Sequence, residues 1–312
     1  MDKKEKSCNS LQAKTAMLLD LLPDIASSII RDITENKTFK MNPDDAKEHA
    51  PEWHQYGIIT HSNKFVEMMK SKVPEKLLEW GIKDRIDKIL DVEIDSVRKR
   101  DLLCITGVLH DIGKFARDFK IKDGKIAPDY SRHEAYSRQL ILGIDKFKTA
   151  NQNGTYIHDL LQKGFTKNQI NYIATTAGLH YVLGRRIRKP VESANDYSFA
   201  YIRSRKCVNV LESIIDEHPD YCIEIGYLFL CDNFSSHEFV ISANDDVEIE
   251  QEIIRLGYRN NPVSNALVNA IHNYPVNEKL AYNYLIMAID SSRLEYYKLR
   301  DELYAERCDG RC

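Results

Sequence analysis

The most informative stretch of this sequence is GVLHDIGK, which occupies residues 107–114. Its adjacent His110 and Asp111 offer a neutral nitrogen donor and a charged oxygen donor at almost the same depth. The apolar residues before them predict a buried helix that Asp95 caps and that Gly113 ends in the left-handed conformation. Because a carboxylate has two oxygens, Asp111 could contact two metal ions that lie about 3.5–4 Å apart. The stretch therefore predicts a metal site held by a rigid helix.

Three further histidines and one aspartate occur where predicted helices begin or end. His61 opens a helix upstream, and His133 opens another after a glycine-containing segment. His180 ends a further helix, and Asp232 follows the apolar run of residues 227–231. Each helix end can present one donor to a shared centre, so the sequence predicts a metal site built from distant parts of the chain.

Taken together, these residues resemble the pattern of the HD-domain metal-dependent phosphohydrolases. That pattern is a leading histidine, then the HD pair (often HDxGK), then one or two further histidines and a late aspartate. This chain shows it as THS around His61, HDIGK at 110–114, RHE around His133, GLH ending at His180 and LCDN around Asp232. The resemblance covers roughly residues 50–240. It implies an all-α, HD-domain helical fold with N- and C-terminal helical extensions.

Two branches of that superfamily are similar to this chain in further segments. PEWHQYG at 51–57 and DGK at 123–125 are similar to the HD domains of tRNA nucleotidyltransferases and end-processing enzymes. Those enzymes act on 2′,3′-cyclic phosphates and phosphomonoesters. RHEAYS at 132–137 and CDNFSSHE at 231–238 are similar to the HD nucleases associated with CRISPR systems.

The resemblance also implies a role for each candidate metal ligand. The ligands of the first ion would be His61, His110, Asp111 and Asp232. Asp111 would bridge to a second ion, whose other ligands would be His133 and His180.

Other residues near these ligands are candidates for catalysis or substrate binding. Lys114 could contact a phosphate or assist the leaving group. Glu134 could orient the neighbouring histidine or a water molecule. Arg185 and Arg186, in a basic segment after the last histidine, could contact substrate phosphates or could simply belong to a solvated loop.

From these residues we expect a metal-dependent phosphohydrolase, either a phosphodiesterase or a phosphomonoesterase. It would act on a nucleotide or a nucleic-acid end through a metal-activated hydroxide. Imidazole and carboxylate donors suit one or two divalent ions of manganese, iron, nickel, cobalt or zinc, and magnesium is also possible. Two alternatives remain open. One is a single-strand-specific nuclease of the CRISPR-associated type, and the other is a nucleotide-binding sensor that keeps the HD fold with little turnover.

The composition is that of an ordinary globular protein. The 312 residues are 43% hydrophobic and 29% charged, and the net charge of −3 argues against a strongly basic nucleic-acid-binding coat. Seven cysteines without a CxxC pair fit a reducing compartment. The apolar stretch of residues 16–30 is interrupted by Asp20 and Asp24, which predicts neither a signal peptide nor a membrane span. We therefore expect a cytoplasmic protein without a membrane partner.

Apolar residues recur at helical spacing through most of the chain and predict three parts. These are a helical extension over residues 1–48, the HD core over residues 49–240 and helices packed on the core over residues 241–312. Residues 119–130 predict a loop or short hairpin because they contain an Asp-Gly pair and a proline. The polar, basic segment of residues 184–198 predicts a long loop, and residues 277–307 predict a closing helix.

Overall fold

The computed structural model describes residues 3–34, 57–79, 83–116, 118–122, 125–144, 156–194 and 205–236. The helices predicted over residues 241–312, including the closing helix, lie outside these ranges, as do residues 35–48 of the predicted N-terminal extension. Helices dominate the described ranges, so the prediction of an all-α fold is confirmed.

The described helices vary in length from two turns to nine. In chain order they are α1 (Lys3–Thr34), α2 (Ile58–Lys70), α3 (Lys72–Glu79), α4 (Lys83–Leu90), α5 (Lys99–Leu109), α6 (His133–Leu142), α7 (Tyr156–Gln162), α8 (Lys167–Leu179), α9 (Val182–Ala194), α10 (Arg205–Glu217) and α11 (Cys222–Ser236). None of them has an apolar stretch long enough to cross a lipid bilayer.

Two small antiparallel hairpins interrupt the helices. The first pairs β1 (Glu93–Ile94) with β2 (Val97–Arg98). The second pairs β3 (Asp118–Lys122) with β4 (Lys125–Asp129). The pairing of β3 with β4 agrees with the short hairpin that the sequence offers for residues 119–130.

The chain divides into two compact units, each made of separate parts of the sequence. Among the described residues, the first unit combines those up to residue 73, those of 90–180 and those from 231 onward. The second unit combines those of 74–89 and 181–230.

Helix α5 is the centre of the first unit. It packs against α1, α2 and α8, and its residues Leu102, Ile105 and Leu109 are fully buried. Their spacing of three and four residues puts them on one face of the helix. Because each such side chain contributes about 1.5–3 kcal/mol when it is fully buried, α5 and the HD pair at its end are held firmly in the core.

The start of α5 differs from the sequence prediction. The helix begins at Lys99 after Arg98, whereas Asp95 lies in the tight turn of the first hairpin with a φ of 48°. The Asp95 carboxylate instead accepts hydrogen bonds from Thr166 Oγ1 and Asn168 Nδ2, at 2.5 and 3.3 Å. The prediction that Asp95 caps α5 is therefore wrong. Its side chain instead connects the first hairpin to the start of α8.

The prediction of a long loop over residues 184–198 is also wrong for the first eleven of these residues. They belong to α9. The basic residues Arg185 and Lys189 are exposed, four residues apart on that helix, whereas Val182 and Leu183 are buried. Gly184, which suggested a loop, lies where an added Cβ would come within 2.8 Å of the Tyr181 ring. The polar sequence thus reflects the exposed face of an amphipathic helix.

Gly113 has a different role from the one the sequence predicts. Among the described glycines, positive φ is found at Gly143, so Gly113 does not end α5 in the left-handed conformation. It lies in a short 3-10 helix at residues 112–114. A Cβ at this position would lie 2.0 Å from the carbonyl oxygen of His133 and 2.6 Å from the amide nitrogen of Ser137. Glycine is required here because α6 approaches the backbone closely.

We expect Gly113→Ala to lower the free energy of unfolding by about 2–3 kcal/mol, because the added methyl group forces two backbone segments apart. Urea denaturation followed by circular dichroism measures this change. Gly164→Ala is a matched control, since its Cβ would lie 3.5 Å from the nearest atom, in the flexible side chain of Lys14. Equal denaturation midpoints for the two variants would contradict the packing argument.

Candidate metal centre

Six side chains that the sequence singles out meet in the first unit, and each lies on a separate element or at a helix end. They are His61 of α2, His110 and Asp111 after α5, His133 at the start of α6, His180 after α8 and Asp232 of α11. We call them the six-residue cluster. Four of them are almost completely buried, whereas the side chains of His133 and Asp232 are 12% and 11% exposed.

His61, His110 and Asp232 form one half of the cluster. The Nε2 atoms of the two histidines lie 3.2 Å apart. Nε2 of His61 lies 3.0 Å from Oδ1 of Asp232, and Nε2 of His110 lies 3.9 Å from the same oxygen. The ring of Phe65 packs on His110 with a centroid distance of 4.3 Å, which closes this half on its apolar side.

His133 and His180 form the other half. Their Nε2 atoms also lie 3.2 Å apart. The His180 ring is in contact with His110 as well, with a centroid distance of 4.9 Å. His180 therefore lies within reach of both halves.

Asp111 lies between the two halves. Its Oδ2 is 3.4 Å from Nε2 of His110 and 3.6 Å from Nε2 of His61. Its Oδ1 is 3.3 Å from Nε2 of His133 and 3.7 Å from Nε2 of His180. Each oxygen of this carboxylate thus faces one pair of histidines, which is the geometry of a bridging ligand.

Three of the histidines bond to a backbone carbonyl three residues earlier in the chain. The Nδ1–O distances are 2.8 Å for His110 to Gly107, 2.9 Å for His133 to Tyr130 and 2.7 Å for His180 to Ala177. A carbonyl oxygen only accepts, so in each of these histidines Nδ1 carries the proton and Nε2 presents a lone pair to the cluster.

This donor set fits divalent metal ions. Lone pairs that face each other at 3.2 Å repel unless a cation lies beside them. Metal–ligand bonds of about 2.0–2.2 Å place neighbouring donor atoms about 3.0–3.5 Å apart, and the closest N–N and N–O separations in the cluster fall in that range. An Nδ1–H bonded to a carbonyl is also the usual outer support of a metal-binding histidine. The cluster could hold one ion, or two that share Asp111.

Both carboxylates of the cluster favour the ionised form. Burial opposes ionisation of Asp111, but the ammonium of Lys114 and the adjacent His110 outweigh it and hold its pKa well below the ordinary value. Burial also opposes ionisation of Asp232, yet the hydrogen bond from His61 lowers its pKa to about 2. At neutral pH, two negative charges therefore lie in a nearly dry site and attract a cation.

The histidines of the cluster differ in their proton affinity. Burial, together with the neighbouring imidazoles, lowers the pKa of His180 to about 4. Burial lowers the pKa of His133 too. It acts in the same direction on His110, but the carboxylate of Asp111 outweighs it and raises that pKa. His133 and His180 are therefore neutral donors at pH 7, and a proton competes with a metal ion more strongly at His110 than at these two.

Of the three predicted catalytic residues, Asp111 belongs to the cluster, and the other two lie next to it. Lys114 is buried, and its Nζ donates a hydrogen bond to Oδ2 of Asp111 at 2.6 Å. Glu134 is buried as well, with an oxygen 3.6 Å from Nδ1 of His133. The carbonyl of Tyr130 is the closer partner of that nitrogen, so the backbone contributes more than Glu134 to fixing the His133 ring.

Arg185 and Arg186 belong to the second unit rather than to the unit that contains the cluster. Arg186 donates hydrogen bonds from both terminal nitrogens to the carboxylate of Glu217, and one of them also contacts Ser213 Oγ at 3.2 Å. Arg185 is exposed on α9. Arg186 therefore has structural partners that account for it.

Sequence reasoning missed the groups that support the ligands. The carbonyls that bond to Nδ1 have no residue-type signature, since any backbone can supply them. A histidine just after a helix, such as His110 or His180, is nevertheless a recognised partner of the last carbonyls of that helix. Ser137, whose hydroxyl bonds to the backbone on both sides of Asp111, was likewise not predicted.

Comparison with known protein families agrees with this geometry. The family model described as "Cas3, HD domain" matches residues 40–192, a range that includes five members of the cluster and leaves out Asp232. The chain therefore carries an HD domain, and the predicted resemblance to the HD superfamily is confirmed. The match supports a metal-dependent hydrolase of the HD type. No curated protein and no solved structure matches the chain significantly.

If each half of the cluster holds one ion, removing one histidine should empty one half only. We expect His61→Ala and His133→Ala each to retain one ion per chain where the wild type retains two, because each histidine belongs to a different pair. Inductively coupled plasma mass spectrometry after gel filtration measures the ratio. His218→Ala, which changes a histidine of the second unit, should retain both ions. Unchanged metal content in both cluster variants would contradict this assignment.

Proposed function

We propose that this protein is a metal-dependent phosphodiesterase that cleaves single-stranded nucleic acid. The observation that carries the proposal is the position of Asp111, whose two oxygens face two separate pairs of histidines. A shared carboxylate of this kind is typical of hydrolytic sites with two metal ions. Among the functions that the sequence leaves open, the match to the Cas3 HD domain favours the nuclease.

The burial of the cluster indicates where a substrate would enter. His61, His110, Asp111 and His180 are almost completely enclosed, so a phosphate cannot approach them from their own side. His133 and Asp232 are the members that reach solvent. The scissile phosphate would therefore approach between His133 and Asp232, which belong to different halves of the cluster.

Bound divalent ions would supply a water molecule of lowered pKa and positive charge for the phosphoryl oxygens. The four histidines and two carboxylates of the cluster would hold those ions, with the Nδ1–H bonds fixing the orientation of the rings. Manganese, iron, nickel, cobalt, zinc and magnesium all accept such donors to some extent.

Lys114 has a positioning role in this proposal. Its ammonium lies 2.6 Å from Oδ2 of Asp111 and offsets part of the negative charge that burial would otherwise destabilise. A lysine engaged with the bridging carboxylate in this way orients Asp111. Direct contact with the substrate phosphate, which the sequence suggested, would require this ion pair to open.

We expect Asp111→Asn to lower the rate of phosphodiester hydrolysis by about 1,000-fold or more, since several kcal/mol of charge stabilisation depend on the ions that Asp111 would bridge. The assay uses bis-p-nitrophenyl phosphate and a labelled single-stranded oligonucleotide with manganese. Asp220→Asn makes the same change at an exposed position and should retain full activity. Turnover by Asp111→Asn at the wild-type rate, or in the presence of excess chelator, would defeat the proposed mechanism.

The nature of the products decides between the candidate functions. Internal cleavage of the oligonucleotide supports the nuclease, whereas release of terminal phosphate alone would point to the end-processing phosphatase. Tight nucleotide binding without any product would point to the sensor. In both of the last two cases the proposed function would be wrong.

The exposed basic residue Arg185 on α9 gives a second test of the proposed substrate. Arg185→Glu should weaken binding of single-stranded DNA and reduce the slope of log affinity against log salt concentration by about 0.7, the loss of one phosphate contact. Fluorescence anisotropy at several salt concentrations measures both quantities. Lys206→Glu reverses the charge of another exposed residue of the second unit and serves as the control. If both variants weaken binding equally, Arg185 contributes only its charge and makes no phosphate contact.

A further inference from the structure

Ser137 is a fully buried residue of α6 that lies against the HD pair. It follows His133 by four residues, so the two side chains lie on the same face of that helix. Its hydroxyl donates a hydrogen bond to the carbonyl oxygen of His110 at 2.6 Å and accepts one from the amide of Gly113 at 2.9 Å. These two groups lie on either side of Asp111 in the chain.

The hydroxyl is the chemical group that this position needs. The carbonyl of His110 comes at the end of α5, where the last carbonyls have no partner within the helix. This carbonyl needs a hydrogen-bond donor, whereas the amide of Gly113 needs an acceptor. Both partners are needed at the same point. A serine hydroxyl supplies both roles. Alanine supplies neither and would leave two buried polar groups without this partner.

The contact also fixes the distance between α6 and the backbone around Asp111. A Cβ at Gly113 would lie 2.6 Å from the amide nitrogen and 2.8 Å from Oγ of Ser137. The two segments are therefore packed as closely as a glycine allows. The same helix carries His133, whose Nε2 lies 3.3 Å from Oδ1 of Asp111.

We infer that Ser137 is a positioning residue for the second metal ion. It holds the backbone of Asp111 against α6, and so directs Oδ1 toward His133 and His180. The other oxygen of Asp111 is held separately, by Lys114. Loss of the Ser137 hydroxyl should therefore loosen the half of the cluster at His133 before the half at His61. This inference rests on the proposed function, because it requires ions at these ligands.

Calorimetric titration of the full, metal-free chain with manganese tests the inference. We expect Ser137→Ala to bind the second ion about 10–100-fold more weakly than the wild type, with little change for the first ion. Thr106→Val is the control. It removes another fully buried hydroxyl, which bonds Thr176 at 2.8 Å between α5 and α8. It should lower the melting temperature but bind both ions as the wild type does.

A second pair of variants separates the hydroxyl from the packing at this position. Ser137→Thr and Ser137→Val have the same shape and differ only in the hydroxyl group. Ser137→Thr should keep the affinity for the second ion, whereas Ser137→Val should lose it. This pair replaces Ser137→Ala if that variant does not fold.

The outcomes distinguish this inference from the proposed function. A wild-type chain that binds no ion contradicts both. Two ions in the wild type, with unchanged affinity in Ser137→Ala or equal affinities in the threonine and valine variants, contradict the inference alone. A single ion in the wild type also overturns the inference, because there is then no second ion to position. An equal loss in Thr106→Val would mean that general destabilisation explains the effect.

Discussion

The ionised carboxylate of Asp111 is the constraint on which the first unit depends. A buried charge costs several kcal/mol of solvation unless hydrogen bonds and opposite charges replace the lost water. In this protein Lys114 provides the opposite charge and four imidazole rings surround the two oxygens. Helices α5, α6 and α8 therefore meet this side chain with their ends, which carry His110, His133 and His180. Helices α2 and α11 contribute His61 and Asp232 from within the helix.

Helix ends suit this task because their polar backbone groups are not yet engaged. His110 and His180 follow the last residues of α5 and α8, and each turns its Nδ1 to the carbonyl of the preceding turn. The same bond satisfies an orphan carbonyl and fixes the tautomer of the ring. One hydrogen bond thus completes the end of the helix and also leaves Nε2 of the histidine available to a metal ion.

The residues of the cluster could be predicted from the sequence because their types and order are distinctive. Their supporting contacts could not, since Ser137 and the carbonyl of Tyr130 are ordinary groups that only tertiary packing brings to the site. Besides the helix cap assigned to Asp95, two local predictions were wrong. Gly113 was expected to supply left-handed backbone, but it is required by the close approach of α6. Residues 184–194 were expected to form a loop, because the pattern of their polar residues resembles a solvated loop as much as one face of a helix. The assignment of three parts to the chain remains a prediction.

The separation of His61 and Asp232 along the chain has a consequence for synthesis. Asp232 lies 171 residues after His61, with which it forms a hydrogen bond. During translation the four histidines and Asp111 therefore emerge from the ribosome well before their last companion. At about 5–20 residues per second, the roughly 50 residues between His180 and Asp232 take about 3–10 seconds to add. Through that interval the nascent polypeptide carries only five members of the six-residue cluster, so a metal site that needs all six side chains could be completed only after α11 has been made.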